Sequence, residues 1–304
     1  MPTIEAEAAG ARVTDSLTRR LEELADRLER LLPPIAETDW TAPAFRWRTR
    51  QYLGARVGML EAVHRIAAIA ADDLRHVDAQ KEAILRNTQQ FVRGLPANNV
   101  LLTGARGTGK SSLIRACLVR FRADGLRLIE VDKHDLVDLP DIVERLAGRG
   151  ERFILFCDDL SFDEGEGSYK ALKAALDGSV AAPPENVLIY ATSNRRHLMP
   201  EYMRENLDTK YQEDGEIHPG ETVEEKISLS ERFGLWLSFY PFRQDDYVDI
   251  VAHWLAQYGA DAALIDAARA EALQFALLRG SRSGRVAMQF ARDFAGRQGL
   301  AARV

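Results

Sequence analysis

The stretch Asn98–Leu113, NNVLLTGARGTGKSSL, decides how the chain is read. Val100-Leu101-Leu102 is a short apolar run that begins β-branched and is stopped by glycine, the pattern of a buried strand. Gly104 to Ser111 then fits G-x-x-x-x-G-K-[ST], and Ser111 to Phe121 has helical character. Strand, glycine-rich loop and helix in that order form a phosphate cradle. Glycines at 104, 107 and 109 allow positive φ and let backbone N–H groups approach phosphate oxygens. Lys110 supplies a charge for the outer phosphates, Ser111 a hydroxyl for Mg²⁺, and the following helix its positive dipole end. The loop Gly104, Ala105, Arg106, Gly107, Thr108, Gly109, Lys110, Ser111 and Ser112 is therefore the expected nucleotide-binding set.

Downstream, apolar runs alternate with helical patterns. Strands are predicted at 126–131, 153–157, 187–191 and 235–239, with helices at 141–146 and 169–176. The order β-α-β-α-β requires a parallel sheet with helices on its faces. With the strand before the loop this makes five strands. Helical stretches at 245–257, 262–278 and 284–295, with no strand among them, predict a small C-terminal lid, and Ser283 reads as the N-cap of its last helix. An acidic connection, 199–225, reads as a surface insertion.

Upstream, Leu17, Leu21, Leu24, Leu28 and Leu31 repeat at spacings of four and three, a helical seam ended by Pro33-Pro34. In Ala44 to Tyr52, AFRWRTRQY, arginines alternate with aromatic rings. Such interleaving can bind single-stranded nucleic acid, but in an acidic chain it better suits a half-buried extended segment whose arginines face solvent or acids. Residues 61–71 and 80–92 are predicted as helices. The organisation expected is a helical extension over 1–71, an α/β nucleotide-binding domain over 72–242 and a helical lid over 243–304.

The 304 residues are 46% hydrophobic and 28% charged, which excludes a disordered or fibrous chain, and the net charge of −6 gives no global attraction to nucleic acid or anionic lipid. No apolar run is long enough to span a membrane. Two cysteines, Cys117 and Cys157, are no disulfide framework and offer no metal-ligand spacing, so a cytoplasmic compartment is expected.

Four further residues complete the expected site. Phe153 to Cys157 buries a strand from whose carboxyl end Asp158 and Asp159 emerge, Asp158 suited to hold Mg²⁺ with Ser111 and Asp159 to act as general base. Asn194, at the tip of the strand ending in Thr192-Ser193, can orient the attacking water or donate to the γ-phosphate. Arg232, just before the last strand, offers a guanidinium that could act on a neighbouring subunit's phosphate or pair internally.

Together GARGTGKS, FILFCDD, YATSN, LSERFGL and SRSGRVA resemble, in order, the Walker A, Walker B, sensor 1, arginine finger and sensor 2 motifs of AAA+ ATPases. More narrowly, they and the AFRWR segment resemble an uncharacterised bacterial family of predicted AAA+ ATPases. The resemblance implies ATP and Mg²⁺ as cofactors, hydrolysis of ATP, and a homo-oligomer with a ring of six as the leading guess. It also implies an adenine pocket lined by Leu74 and Val77, and sensor 2 on Arg285, with Arg282 the alternative. Asp159 stands where most of the superfamily has glutamate, which suggests slow turnover. The chain also lacks, around Asp132 to Leu136, the aromatic-hydrophobic-glycine loop of polypeptide-threading relatives. The protein it acts on is not identified. Competing readings are a nucleotide-gated scaffold with little turnover and a DNA-associated loader, though nucleic acid is not favoured.

Overall fold

The computed structural model describes residues 18–24, 27, 37–52, 54–67, 69–162, 167–177, 184–195 and 229–300. Most of the leucine seam and all of the acidic connection 199–225 lie outside these residues. Seven strands form one sheet: β1 Ala44–Tyr52, β2 Ala55–Val63, β3 Val100–Gly104, β4 Leu126–Glu130, β5 Arg152–Cys157, β6 Val187–Ser193 and β7 Leu235–Phe239. Their spatial order is β2-β1-β4-β5-β6-β3-β7. Every pairing is parallel except that of β1 with β2.

The helices that frame the sheet are α1 Asp78–Val92, α2 Lys110–Phe121, α3 Leu139–Leu146, α4 Gly167–Asp177, α5 Gln244–Gln257, α6 Ala262–Leu278 and α7 Gly284–Arg297. The central strands are apolar on both faces because both are covered. Val100, Leu102, Ile154 and Phe156 pack into one core with α1, α2 and the lid helices. Leu101, Phe153, Leu155 and Cys157 enter a second core with α3 and α4.

The sheet corrects two expectations. It has seven strands, not five, and the described residues of 61–70 do not form a helix. Glu61 to Val63 end β2, which pairs along its whole length with β1, while β1 pairs with β4 through Ala44↔Leu128 to Arg46↔Glu130. The alanine-rich composition of 61–71 favours helix locally, but for 61–63 pairing with β1 across the hairpin overrides that preference. Residues 44–63, expected within a helical extension, thus widen the main sheet.

The arginine-aromatic alternation is the half-buried strand. Phe45 and Trp47 are buried, and Trp47 donates from Nε1 to Asp138 at 2.9 Å. Arg46 pairs with Glu130 at 3.1 Å and Arg48 with Glu61 at 3.2 Å. Gly58 lies so close to the indole that a Cβ there would stand 1.9 Å from a ring carbon of Trp47.

The lid keeps the predicted boundaries within about two residues. Ser283 caps α7 by accepting from the Val286 N–H at 3.3 Å. A polar seam ties the lid to the segment before α1: Arg75 and His76 reach Asp249 at 3.0 and 2.8 Å, and His253 reaches Asp73 at 3.1 Å.

Candidate functional site

The loop after β3 carries its glycines where side chains are excluded. Gly107 and Gly109 have φ of +73° and +99°, and at Gly104, φ +121°, a Cβ would meet the Phe239 carbonyl oxygen at 1.9 Å. The lid closes on this loop. The Arg285 N–H donates to the Gly107 carbonyl at 3.3 Å, and a Cβ on Gly107 would lie 2.8 Å from Ser283 Oγ.

Lys110 opens α2 and is buried. Its ammonium donates to the Gly104 and Ala105 carbonyls at 2.8 and 2.7 Å and to Asn194 Oδ1 at 3.0 Å. Burial pulls its pKa down to about 8; the carboxylates of Asp159 and Asp158 oppose that shift, and Arg106 and Arg285 add to it.

Strand order explains the meeting of the remaining groups. β6 lies between β3 and β5, so its tip stands between the loop and the acidic pair. Ser111 Oγ donates to Asp158 Oδ1 at 2.6 Å, as does Thr192 Oγ1, also at 2.6 Å. The Thr192 hydroxyl accepts from the Asp159 N–H at 2.9 Å. Asp159 sits in the left-handed region, φ +52°, and its carboxylate accepts from Asn194 Nδ2.

A cavity of about 570 Å³ opens over these groups. The glycine-rich loop from Arg106 to Ser112, both aspartates, Asn194 and Arg285 line it, together with Leu74 from the segment before α1. Ile69, Phe242, Ile250, Trp254 and Met288 contribute apolar surface. Gly104, the last residue of β3, lies outside this lining, as do three further expected residues. Val77 is buried in the core, Ala105 gives its N–H to Phe239 and its carbonyl to Lys110, and Arg232 pairs with Asp177 at the end of α4.

Sequence reasoning missed Thr192 and the lid's apolar contribution. Thr192 stands two residues before Asn194 at the same strand tip, which was signal enough to include it. Ile250 and Trp254 are four residues apart on α5 and so share a helix face, a pattern that alone reads as core.

A family profile described as a protein of unknown function, DUF815, matches residues 40–298. The chain belongs to the DUF815 family. In DUF815 terms the match takes in the β1–β2 hairpin, the phosphate loop and all three lid helices. None of the curated proteins compared with the chain matches it. Among solved structures the chain is similar to Thermotoga maritima RuvB, a Holliday junction branch migration motor, at 18% identity and a TM-score of 0.45, covering 75% of this chain and 64% of RuvB. It is similar to Aeropyrum pernix ORC1, solved in complex with DNA, at 17% identity and a TM-score of 0.48, with 77% and 66% covered. A chain of the Escherichia coli MS115-1 HORMA:CdnC:Trip13 complex aligns at 11% identity and a TM-score of 0.46, with 73% and 89% covered. The DUF815 chain thus spans less than two thirds of the RuvB chain.

Proposed function

We propose that this protein binds ATP with Mg²⁺ and hydrolyses it slowly, using the change of state to drive a conformational change in a protein partner. The carrying observation is that one cavity is lined by the phosphate loop, two strand-tip aspartates, an asparagine and a lid arginine. Its volume suits a nucleotide, since small-molecule sites run from about 300 to 1,000 Å³. Leu74, Ile250 and Trp254 offer a surface for the base, and Lys110, Arg106 and Arg285 offer charge for the phosphates.

The donor set fits Mg²⁺. Among the described residues no group of three or more histidines, cysteines or acids could hold a metal. A cation that keeps its waters and phosphate ligands needs only a hydroxyl and a carboxylate from the protein, here Ser111 and Asp158. When bound, the cation would neutralise charge on the outer phosphates.

The chain's own groups divide the rest of the work. Lys110, now on two loop carbonyls, would turn to the incoming phosphates. Asp159 would take the proton of the attacking water, with Asn194 orienting that water. Arg285, whose backbone already touches the loop, would report phosphate loss to the lid. Arg232 would serve a neighbour in a ring, six subunits being the leading arrangement. No described helix is long and apolar enough to cross a membrane.

Calorimetry and a phosphate-release assay test the reading. The wild type should bind ATP and turn over slowly. Lys110→Ala should lose tight binding, because the phosphates lose their point charge, and Asp159→Asn should keep binding while losing turnover. Unchanged affinity in Lys110→Ala would sink the proposal. Binding without turnover in the wild type would favour the nucleotide-gated scaffold.

A further inference from the structure

We infer that Thr192 is a positioning residue that sets the two strand-tip aspartates to their separate tasks. The inference rests on the ATP and Mg²⁺ reading of the cavity and gives a role to Thr192, a residue of the YATSN motif to which the sequence reading assigned none.

The hydroxyl of Thr192 sits between the acids and touches both. It donates to Asp158 Oδ1 at 2.6 Å and accepts from the Asp159 N–H at 2.9 Å. One rotor thus has its donor and an acceptor lone pair committed to adjacent residues. Thr192 itself is 1% exposed, so its side of both contacts is held away from solvent, although the aspartates face the cavity. Its register is fixed by β6: Thr192 is paired with Leu102 of β3, and its own carbonyl accepts from Leu160, just past the aspartates, at 2.7 Å.

At Asp158, the hydroxyls of Thr192 and Ser111 both arrive on Oδ1. No hydrogen bond among the described residues falls on Oδ2, so the carboxylate is oriented with one oxygen left for a cation's water shell. If Ser111 turned to the metal, Thr192 would be the remaining donor holding that orientation. At Asp159, φ of +52° places an acidic residue in a sparsely populated backbone region. The amide pinned by Thr192 holds this conformation, which delivers the carboxylate to Asn194. Threonine meets both demands because its branched Cβ suits a buried strand and its hydroxyl is both donor and acceptor.

The structure also shows what a replacement would change. Thr192→Val keeps shape and branching but removes both contacts; Thr192→Ser keeps the hydroxyl and gives up a methyl group.

The experiment measures ATP affinity of the full chain by calorimetry with Mg²⁺ and with EDTA, and turnover as a function of Mg²⁺ concentration. The expected result is that Thr192→Val matches the wild type in EDTA, loses most of the tightening that Mg²⁺ gives, and needs at least about tenfold more Mg²⁺ for half-maximal turnover, a displacement typical of removing a supporting contact behind a metal ligand. Thr192→Ser should recover most of the Mg²⁺ effect. If Thr192→Val keeps the full Mg²⁺ effect, or if Thr192→Ser is as impaired as Thr192→Val, the positioning role is wrong and Thr192 is packing alone. A wild type whose ATP affinity ignores Mg²⁺ overturns the reading of the cavity, and the role of Thr192 with it. Should Thr192→Val fail to fold, Thr192→Ser still decides: a large Mg²⁺ shift in a variant that retains the hydroxyl contradicts the inference.

Discussion

Asn194 bridges the cation and the acid of the site: its Oδ1 accepts from Lys110 Nζ at 3.0 Å while its Nδ2 donates to the Asp159 carboxylate. This follows from β6 lying between the strand that carries the loop and the strand that carries the acids. An amide serves here because it offers a donor to one neighbour and an acceptor to the other. The bridge ties the group expected to bind phosphate to the group expected to take the water's proton, before either has a ligand.

Asn194→Ala should therefore separate binding from turnover. ATP affinity is expected to stay within about threefold, because Lys110 keeps its charge and its two carbonyl contacts, while turnover should fall by about a hundredfold, the scale of losing one transition-state donor. Calorimetry and phosphate release check the two halves. A parallel loss in both would mean that Asn194 holds the empty loop together rather than assisting the reaction.

The depressed pKa of Lys110, about 8, gives a pH dependence whose two readouts move in opposite directions. In the folded protein the ammonium deprotonates near 8, but in the unfolded chain it does so near 10.5. Between those values the unfolded state binds more protons, so the contribution of Lys110 to stability rises with pH. Phosphate binding needs the ammonium, so ATP affinity should fall over the same window, by about tenfold between pH 7 and pH 9 if only the charged form binds. Lys110→Arg, charged throughout, should flatten the slope of affinity against pH. A wild-type affinity that is level from pH 7 to pH 9 would show that the lysine stays protonated there.

The β1–β2 hairpin predicts a purely structural effect. A methyl group on Gly58 would fall within the Trp47 ring, whose own indole is anchored on Asp138 and whose face carries Arg145. Gly58→Ala is expected to destabilise the protein by about 1–3 kcal/mol, the usual range for overpacking. Urea unfolding measures the loss. ATP affinity should be unaffected, since none of these residues lines the cavity.

The loop and the lid were legible because their signals are local. Glycines at fixed spacing before a lysine, apolar runs five to seven residues long, and a serine before an amphipathic helix need no distant partner to be read. The hairpin was not legible for the opposite reason. Residues 61–63 become strand only because β1 lies alongside, and β1 belongs to the sheet only because Arg46 meets Glu130 and Ala44 meets Leu128. The site divides in the same way. Lys110, Ser111, Asp158 and Asn194 announce themselves by residue type and position at strand ends. The role of Thr192 depends on which strand lies between which others, and strand order is not written in any one segment.

Arg232 carries the last prediction, because its place in the chain suggests a neighbour and its place in the fold shows a partner. Its guanidinium pairs with Asp177, at the end of α4, outside the lining of the cavity. Magnitudes separate the two roles. A partly exposed ion pair is worth about 0–1 kcal/mol, so a purely structural Arg232 would barely affect turnover when removed. An arginine finger is worth a factor of about 10³–10⁵ in turnover, supplied to the adjacent subunit's phosphate. For a finger, Arg232→Ala should be nearly inactive while binding ATP normally, and Asp177→Asn, which removes the charge of this one partner, should keep turnover within about twofold, as expected for loss of a weak surface pair. Mixing inactive Lys110→Ala, which keeps the arginine, with inactive Arg232→Ala, which keeps the loop, should restore part of the activity, and wild-type turnover per chain should rise with concentration as a head-to-tail assembly forms. If Arg232→Ala turns over like the wild type, or if the mixture stays inactive while the dilute wild type is monomeric and active, Arg232 only braces α4 and the ring has no part in the reaction.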